Sequence, residues 1–195
     1  MLNGDGLRVV LWLSGCSHCC KGCQNPLTWD PEGGLPFDEA AKQEIFEQLD
    51  LSYISGITFS GGDPLHTANL ADVRELVEEI REHYPDKTIW IYTGNSWEEI
   101  YELPLIAMTD VVVDGEYVEA LRDVKLQWKG SSNQRVIDVQ KTLASDTPHI
   151  PVLHCGDYYD AAGKAQQLLQ PAKPFTLFKM SQSVFKSCGM LRIML

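Results

Sequence analysis

An α/β fold built on a mainly parallel sheet is predicted by three observations. Four short apolar runs recur along the first 115 residues. Segments of helical periodicity separate them. Each run ends in a glycine-containing turn: SGC, SGGD, TGN and VDG. Strand–helix alternation of this kind calls for right-handed crossovers and parallel strands.

The elements follow in order. Residues 7–14, LRVVLWLS, form an almost unbroken apolar run ending at Gly15, the pattern of a strand buried on both faces. The cysteine-rich segment and its Gly/Pro/Asn-rich sequel, through Gly34, read as a long loop. From Asp38, placed as an N-cap, Ala41, Ile45 and Leu49 recur at helical spacing. ITFSGGD (57–63) is a second strand running into glycines. Leu70, Val73, Leu76, Val77 and Ile80 then trace the apolar face of a helix whose other face is rich in Glu and Arg. TIWIYTG (88–94) is a third strand. Ser96 and Glu99 have capping-box spacing and start a short helix over 97–103. DVVVDG (110–115) is the fourth strand, and a modest helix is expected over 135–143. In a parallel sheet the four turns share the edge at the C-terminal ends of the strands, where open α/β sheets and barrels hold ligands. The cysteine segment and the GGD turn are therefore expected to be neighbours.

The chain has 195 residues, one domain's worth, and its 44% hydrophobic and 22% charged composition suits a soluble protein with a real core. No apolar run approaches the length of a membrane span. The first residues lack a basic region before their apolar part and carry Asp5, unlike a signal peptide. A net charge of −11 disfavours a general nucleic-acid or anionic-membrane binder. All twenty-seven acidic residues lie in 1–160, whereas 161–195 hold five basic residues and no acidic one. This shift divides the chain into a main domain, 1–160, and a basic C-terminal tail, 161–195.

Cys16, Cys19, Cys20 and Cys23 sit within eight residues, while Cys155 and Cys188 are isolated. Thiols crowded into one loop read as metal ligands in a reducing cytoplasm rather than as a secreted disulfide framework. Cys16, Cys20 and Cys23 have the spacing C-x3-C-x2-C. Three thiolates on one loop suit three irons of a cubane cluster and leave the fourth open for a reagent, whereas a cluster kept only for electron transfer takes four cysteines. A zinc knuckle, or unliganded buried thiols, remains the alternative. Cys19 has its own three-residue gap to Cys23, which leaves a second register open.

With GGDP after the second strand, the cysteine spacing resembles that of the radical S-adenosylmethionine superfamily. NGDGLRVVLWLSGC, the C-x-G-C-x-N turn, Thr28-Trp29, SGGDPL, IWIYTG, VVVDG and KGSSNQRVIDV are similar, in order and spacing over about residues 3–140, to the activating proteins of anaerobic ribonucleoside-triphosphate reductase. GSSNQR (130–135) helps separate these from the activating enzymes of pyruvate formate-lyase, which share the cysteine loop.

The resemblance implies a shortened, open (β/α) partial barrel. It implies a 4Fe–4S cluster on Cys16, Cys20 and Cys23, with Gly22, Cys23 and Gln24 along bound S-adenosylmethionine. The turn Gly61, Gly62 and Asp63 would complete the cofactor site, Gly62 meeting the methionine end through its backbone. Glycine allows such an approach. Gly22 stands where many members of the superfamily carry an aromatic ring. The implied activity is reductive cleavage of S-adenosylmethionine, with an electron from an external donor such as flavodoxin, to place a glycyl radical on the reductase. An activase of another glycyl-radical enzyme, or a non-catalytic iron–sulfur or zinc protein, is the alternative.

Other residues invite plainer readings. His18 is expected to be an exposed loop histidine, and the adjacent His154 and Cys155 an incidental pair. Asp63 and Asp114 are as well explained by turn and capping roles as by function. Trp12, Trp90 and Trp97 are expected in the core or at its rim.

Overall fold

A computed structural model describes residues 3–155 and 192–193. Its sheet comprises β1 (Leu7–Leu13), β2 (Leu35–Pro36), β3 (Ile54–Gly61), β4 (Thr88–Tyr92), β5 (Val111–Asp114), β6 (Arg135–Asp138) and β7 (Arg192–Ile193), in the order β2-β7-β1-β3-β4-β5-β6. β1, β3, β4 and β5 are parallel to one another, as the glycine-ended runs predict. β6 is antiparallel to β5, and β7 is antiparallel to both β1 and β2.

The crossovers carry α1 (Glu39–Leu49), α2 (Leu70–His83), and the short α3 (Trp97–Ile100) and α4 (Pro104–Ala107); α5 (Val139–Leu143) follows β6. Asp38 caps α1, its Oδ1 accepting from Ala41 N at 2.9 Å. The Ser96/Glu99 capping box is present at α3. Ile45, Leu49, Val73, Val77 and Ile80 from α1 and α2 are buried in one core with Leu11, Leu13, Ile57, Phe59, Ile89 and Ile91 of the strands. Full burial of each such side chain contributes roughly 1.5–3 kcal/mol, which makes this face the main source of stability. A smaller cluster, Trp90, Val111, Val113, Trp128 and Val136, lies apart from it.

Three expectations are corrected. β1 is not buried on both faces: Leu11 and Leu13 are buried, but Val10 and Trp12 are half-buried and Leu7 is exposed. Among the described residues the second core cluster draws on β4, β5 and β6 and takes no apolar side chain from β1. The helix expected over 97–103 breaks into α3 and α4, because Pro104 occupies the first turn of α4 and Leu103 before it is extended. The helix expected over 135–143 begins only at Val139. Residues 135–138 are instead β6, whose Ile137 registers with Val112, and Asp138 caps α5 through Lys141 N. Alternation and β-branching win over helical continuation where β5 offers an unpaired edge.

At the N-terminal edge of the sheet a buried arginine ties three strands together. Arg8 donates to Thr58 Oγ1, Thr88 Oγ1, Ile57 O and Thr88 O at 2.7–2.8 Å, and its guanidinium lies 5.3 Å from the Trp90 ring centroid. Burial lowers its pKa to about 10. His154 completes this edge: its Nε2 is 2.7 Å from Asp5 Oδ2, and its ring packs against Trp90 and Trp128. These contacts pack the His154 ring into the sheet edge. Of the basic segment 161–195, only β7 lies within the described residues. Among these, no helix is long and apolar enough to cross a membrane.

Candidate metal centre

The cysteine loop leaves β1 at its C-terminal end and is clamped at its base. Gly15 N donates to Thr28 O (2.8 Å) and Cys16 N to Trp29 O (3.1 Å). Between these anchors Cys16, Cys20 and Cys23 are free and half-buried, whereas Cys19 is exposed, with a left-handed φ of 50°. Cys23 N donates to Cys20 O at 3.1 Å and Asn25 N to Cys23 Sγ at 3.3 Å, so the last two thiols share a tight turn. Burial pushes the Cys16 and Cys20 thiols up, so thiolates there call for the positive charge of bound metal.

These features bear on which metal group fits. Among the described residues no three His, Cys, Asp or Glu side chains converge on one ion position. A cubane presents its irons at separate corners, which suits three free thiols spread along one loop. Ser14 Oγ, immediately before the loop, is buried without a hydrogen-bond partner among the described residues, a state that a bound polar cofactor would relieve.

The GGD turn is laced to the base of this loop. Gly62 N donates to Leu13 O (2.7 Å) and Asp63 N to Gly15 O (2.8 Å). Asn69, 1% exposed, donates from Nδ2 to both Ser14 O (2.8 Å) and Asp63 O (3.0 Å). A Cβ on Gly62 would lie 2.5 Å from Gly15 O and 2.9 Å from Thr28 O. Glycine is thus required there by the packing of the two turns, independently of any ligand.

Asp63 is a hub. Its side chain is 2% exposed, and Oδ2 accepts from Thr93 Oγ1 (3.0 Å), Gly94 N and Asn95 Nδ2 (both 3.2 Å), while Oδ1 accepts from Leu65 N (2.8 Å). His18 Nε2 is 2.7 Å from the same Oδ2, and His18 Nδ1 is 3.1 Å from Glu116 Oε1. The expectation of an exposed loop histidine is therefore corrected: the His18 side chain is 16% exposed and wedged between two carboxylates. The bond to Asp63 is the main reason its pKa rises to about 9. A Cβ on Gly94 would collide with the His18 ring.

The far side of the rim is built by residues 115–135. Gln134 Oε1 accepts from Gly130 N (2.9 Å) and Ser131 N (3.2 Å), and its Nε2 donates to Gly115 O (2.9 Å). Asn133 Nδ2 donates to Glu116 O (2.9 Å). Arg135 pairs with Asp114 and Glu98, and Asp114 also accepts from Trp97 N (2.8 Å). Asp114 thus has a structural occupation, and GSSNQR is the latch that folds the excursion back onto β5. Gln24 lines an open cavity of about 350 Å³ together with Arg122, Trp128 and Gly130. Gly22 is exposed beside Glu119.

The sheet edge therefore brings Cys16 and the Gly61-Gly62-Asp63 turn into one neighbourhood, with Cys20, Cys23 and Gln24 following along the loop. Sequence reasoning missed His18, Asn69 and Glu116 as parts of it. The only signal for His18 was its place between the cysteines; Asn69 and Glu116 gave none.

An open α/β sheet carries a four-cysteine loop at the C-terminal end of β1, and the family model of the 4Fe-4S single cluster domain matches residues 2–137, which makes the chain a single-cluster iron–sulfur protein. Similar proteins include the anaerobic ribonucleoside-triphosphate reductase-activating proteins of Enterobacteria phage T4 (42% identical over 69% of this chain and 86% of the relative) and Escherichia coli strain K12 (42% over 70% and 91%). That of Haemophilus influenzae is 38% identical over 69% of this chain and 89% of its own length. No solved structure matches. The chain belongs to the family of anaerobic ribonucleoside-triphosphate reductase-activating proteins.

Proposed function

We propose that this chain is the activating enzyme of an anaerobic ribonucleoside-triphosphate reductase, a radical S-adenosylmethionine oxidoreductase that installs a glycyl radical on its partner. Family membership supports the activity and the 4Fe–4S cofactor. The observation that carries the reading to this chain's own residues is the lacing of the cysteine loop to the GGD turn through Gly62 N–Leu13 O and Asp63 N–Gly15 O. It sets the cysteine loop beside a turn suited to an amino-acid ligand.

In this reading Cys16, Cys20 and Cys23 hold the cluster and Cys19 points away. Such a cluster would supply the electron for reductive cleavage of S-adenosylmethionine, the chemistry that would place the radical on a glycine of the reductase. The protein orients and encloses. Gly61 and Gly62 bring backbone close to the methionine end, and Asp63 acts indirectly, since its carboxylate is already engaged by protein donors. Gly22 and Gln24 would lie along the cofactor, Gln24 from the cavity that it lines. The sheet is read as part of a shortened, open (β/α) barrel, with residues 1–160 as the catalytic unit. An external donor such as flavodoxin delivers the electron in the cytoplasm.

The test is anaerobic reconstitution, with iron and sulfide analysis, 5′-deoxyadenosine formation and the glycyl-radical signal of the reductase as readouts. Cys16→Ala, Cys20→Ala and Cys23→Ala should each abolish cluster absorbance and cofactor cleavage, and Cys19→Ala should spare both. Equal losses at Cys19 and Cys20 would overturn the ligand set.

A further inference from the structure

His18 is the one side chain between Cys16 and Cys23, among the described residues, with a buried polar anchor outside the loop. Ser17 and Cys19 are exposed, and Lys21 meets Glu119 only at 3.6 Å on the surface, with its side chain 93% exposed. A pair of that kind contributes little. The base of the loop is held by backbone bonds at Gly15 and Cys16, and farther along the Cys20 thiol meets the backbone of Tyr117, so among the described residues His18 supplies the buried side-chain tie of the stretch between them. His18 reaches two other parts of the rim at once: Asp63 after β3 and Glu116 after β5. Its ring also lies against Gly94 after β4, where a side chain would displace it. Every parallel strand of the sheet therefore sends its C-terminal turn to this imidazole.

From this geometry we infer that His18 is a positioning residue: through Asp63 and Glu116 it fixes the cysteine loop over the Gly61-Gly62-Asp63 turn, and so sets where S-adenosylmethionine meets the cluster. The inference rests on the activating-enzyme reading and deepens it. His18 need not touch the cofactor. Asp63 orders the backbone of the cofactor turn, and His18 transmits that order to the thiol loop. Small displacements of this relation matter, since electron transfer and bond cleavage depend on the sulfonium being held in place.

The experiment compares wild-type protein with His18→Ala, His18→Gln and His18→Asn. Glutamine is long enough to donate an amide N–H to Asp63; asparagine is too short. Four quantities are read: iron and sulfide content, thermal midpoint, the change in the reduced cluster's electron paramagnetic resonance signal on titration with S-adenosylmethionine, and hydrogen exchange of residues 16–23 in the metal-free protein. His18→Ala is expected to hold iron and melt close to wild type. Its cofactor affinity should fall roughly ten- to a hundred-fold, the range spanned by losing one charge-assisted hydrogen bond. Loop amides should exchange faster, and His18→Gln should recover most of the affinity where His18→Asn does not.

Wild-type affinity and signal response in His18→Ala would overturn the inference, as would a lowered melting point with an unchanged cofactor titration. If His18→Ala holds no iron, the comparison of glutamine with asparagine decides, and equal affinities count against the proposal. A wild-type protein that takes up no cluster overturns the activating-enzyme reading instead. The exchange measurement on metal-free protein still decides whether His18 anchors the loop.

Discussion

The two edges of the sheet each contain a buried charged hub, and they are wired in opposite ways. At the N-terminal edge the Arg8 guanidinium donates to hydroxyls and carbonyls of β3 and β4, groups already fixed by the sheet. At the C-terminal edge the Asp63 carboxylate accepts from the cysteine loop, the turn after β4 and its own turn, groups that no regular element holds. The first hub joins rigid parts and can contribute only stability. The second joins parts that would otherwise move independently, and it creates a site. A cation serves where carbonyls converge, and an anion where N–H and O–H groups converge.

Substitutions can break this contrast, and the largest effect is expected at the rim. Gly62→Val places a branched side chain against Gly15 O and Thr28 O, the backbone that closes the cysteine loop. Iron uptake should be lost or severely reduced while circular dichroism still reports a folded sheet. A Gly62→Val protein with full iron and normal cofactor affinity would mean that the two turns yield to each other freely. Arg8→Ala comes next. It leaves four acceptors of β3 and β4 without their donor, and urea unfolding should show a loss of about 3–5 kcal/mol. Cofactor affinity of the protein that remains folded should be unchanged; a parallel fall in affinity would erase the distinction between the edges.

The smallest effect concerns Glu98, half-exposed and paired with Arg135 at 2.8 Å. That pairing holds its pKa at about 2, below the ordinary 4.5. Its contribution is fully present above about 4.5 and is lost as pH falls towards about 2. Glu98→Gln should therefore flatten the stability profile in that acid window and change stability near neutral pH by at most ~0.5 kcal/mol, less in high salt.

Much of this architecture is legible in the sequence where local chemistry decides it. Apolar runs closed by glycine turns placed the four parallel strands, and Asp38, Ser96 and Glu99 announced their helices because a cap is a local hydrogen bond. Residues 135–138 were harder. Four residues are too few for periodicity to separate strand from helix, and the open edge of β5 made the choice. β2 and β7, two residues each, exist only by pairing with each other and with β1. At the site, the thiol spacing and the GGD turn were readable, but the partnership of His18 with Asp63 spans 45 residues of chain and that with Glu116 spans 98. Asn69 reads as an ordinary residue before a helix, and only the arrival of Ser14 O beside it gives it work.

The pairing of Ile193 with Leu13 has a consequence for how the molecule is made. On a ribosome, β1, β3, β4 and β5 can assemble once roughly the first two-thirds of the chain has emerged. Until residues 192–193 follow, β1 remains an open edge, directly before the segment bearing the thiols. An unpaired edge is a template for wrong pairing with another chain. Of the contacts that β1 makes within its sheet, this one spans the greatest length of chain, so loop-closure entropy places it among the last to form. The strand that carries the metal loop is thus begun first and sealed last.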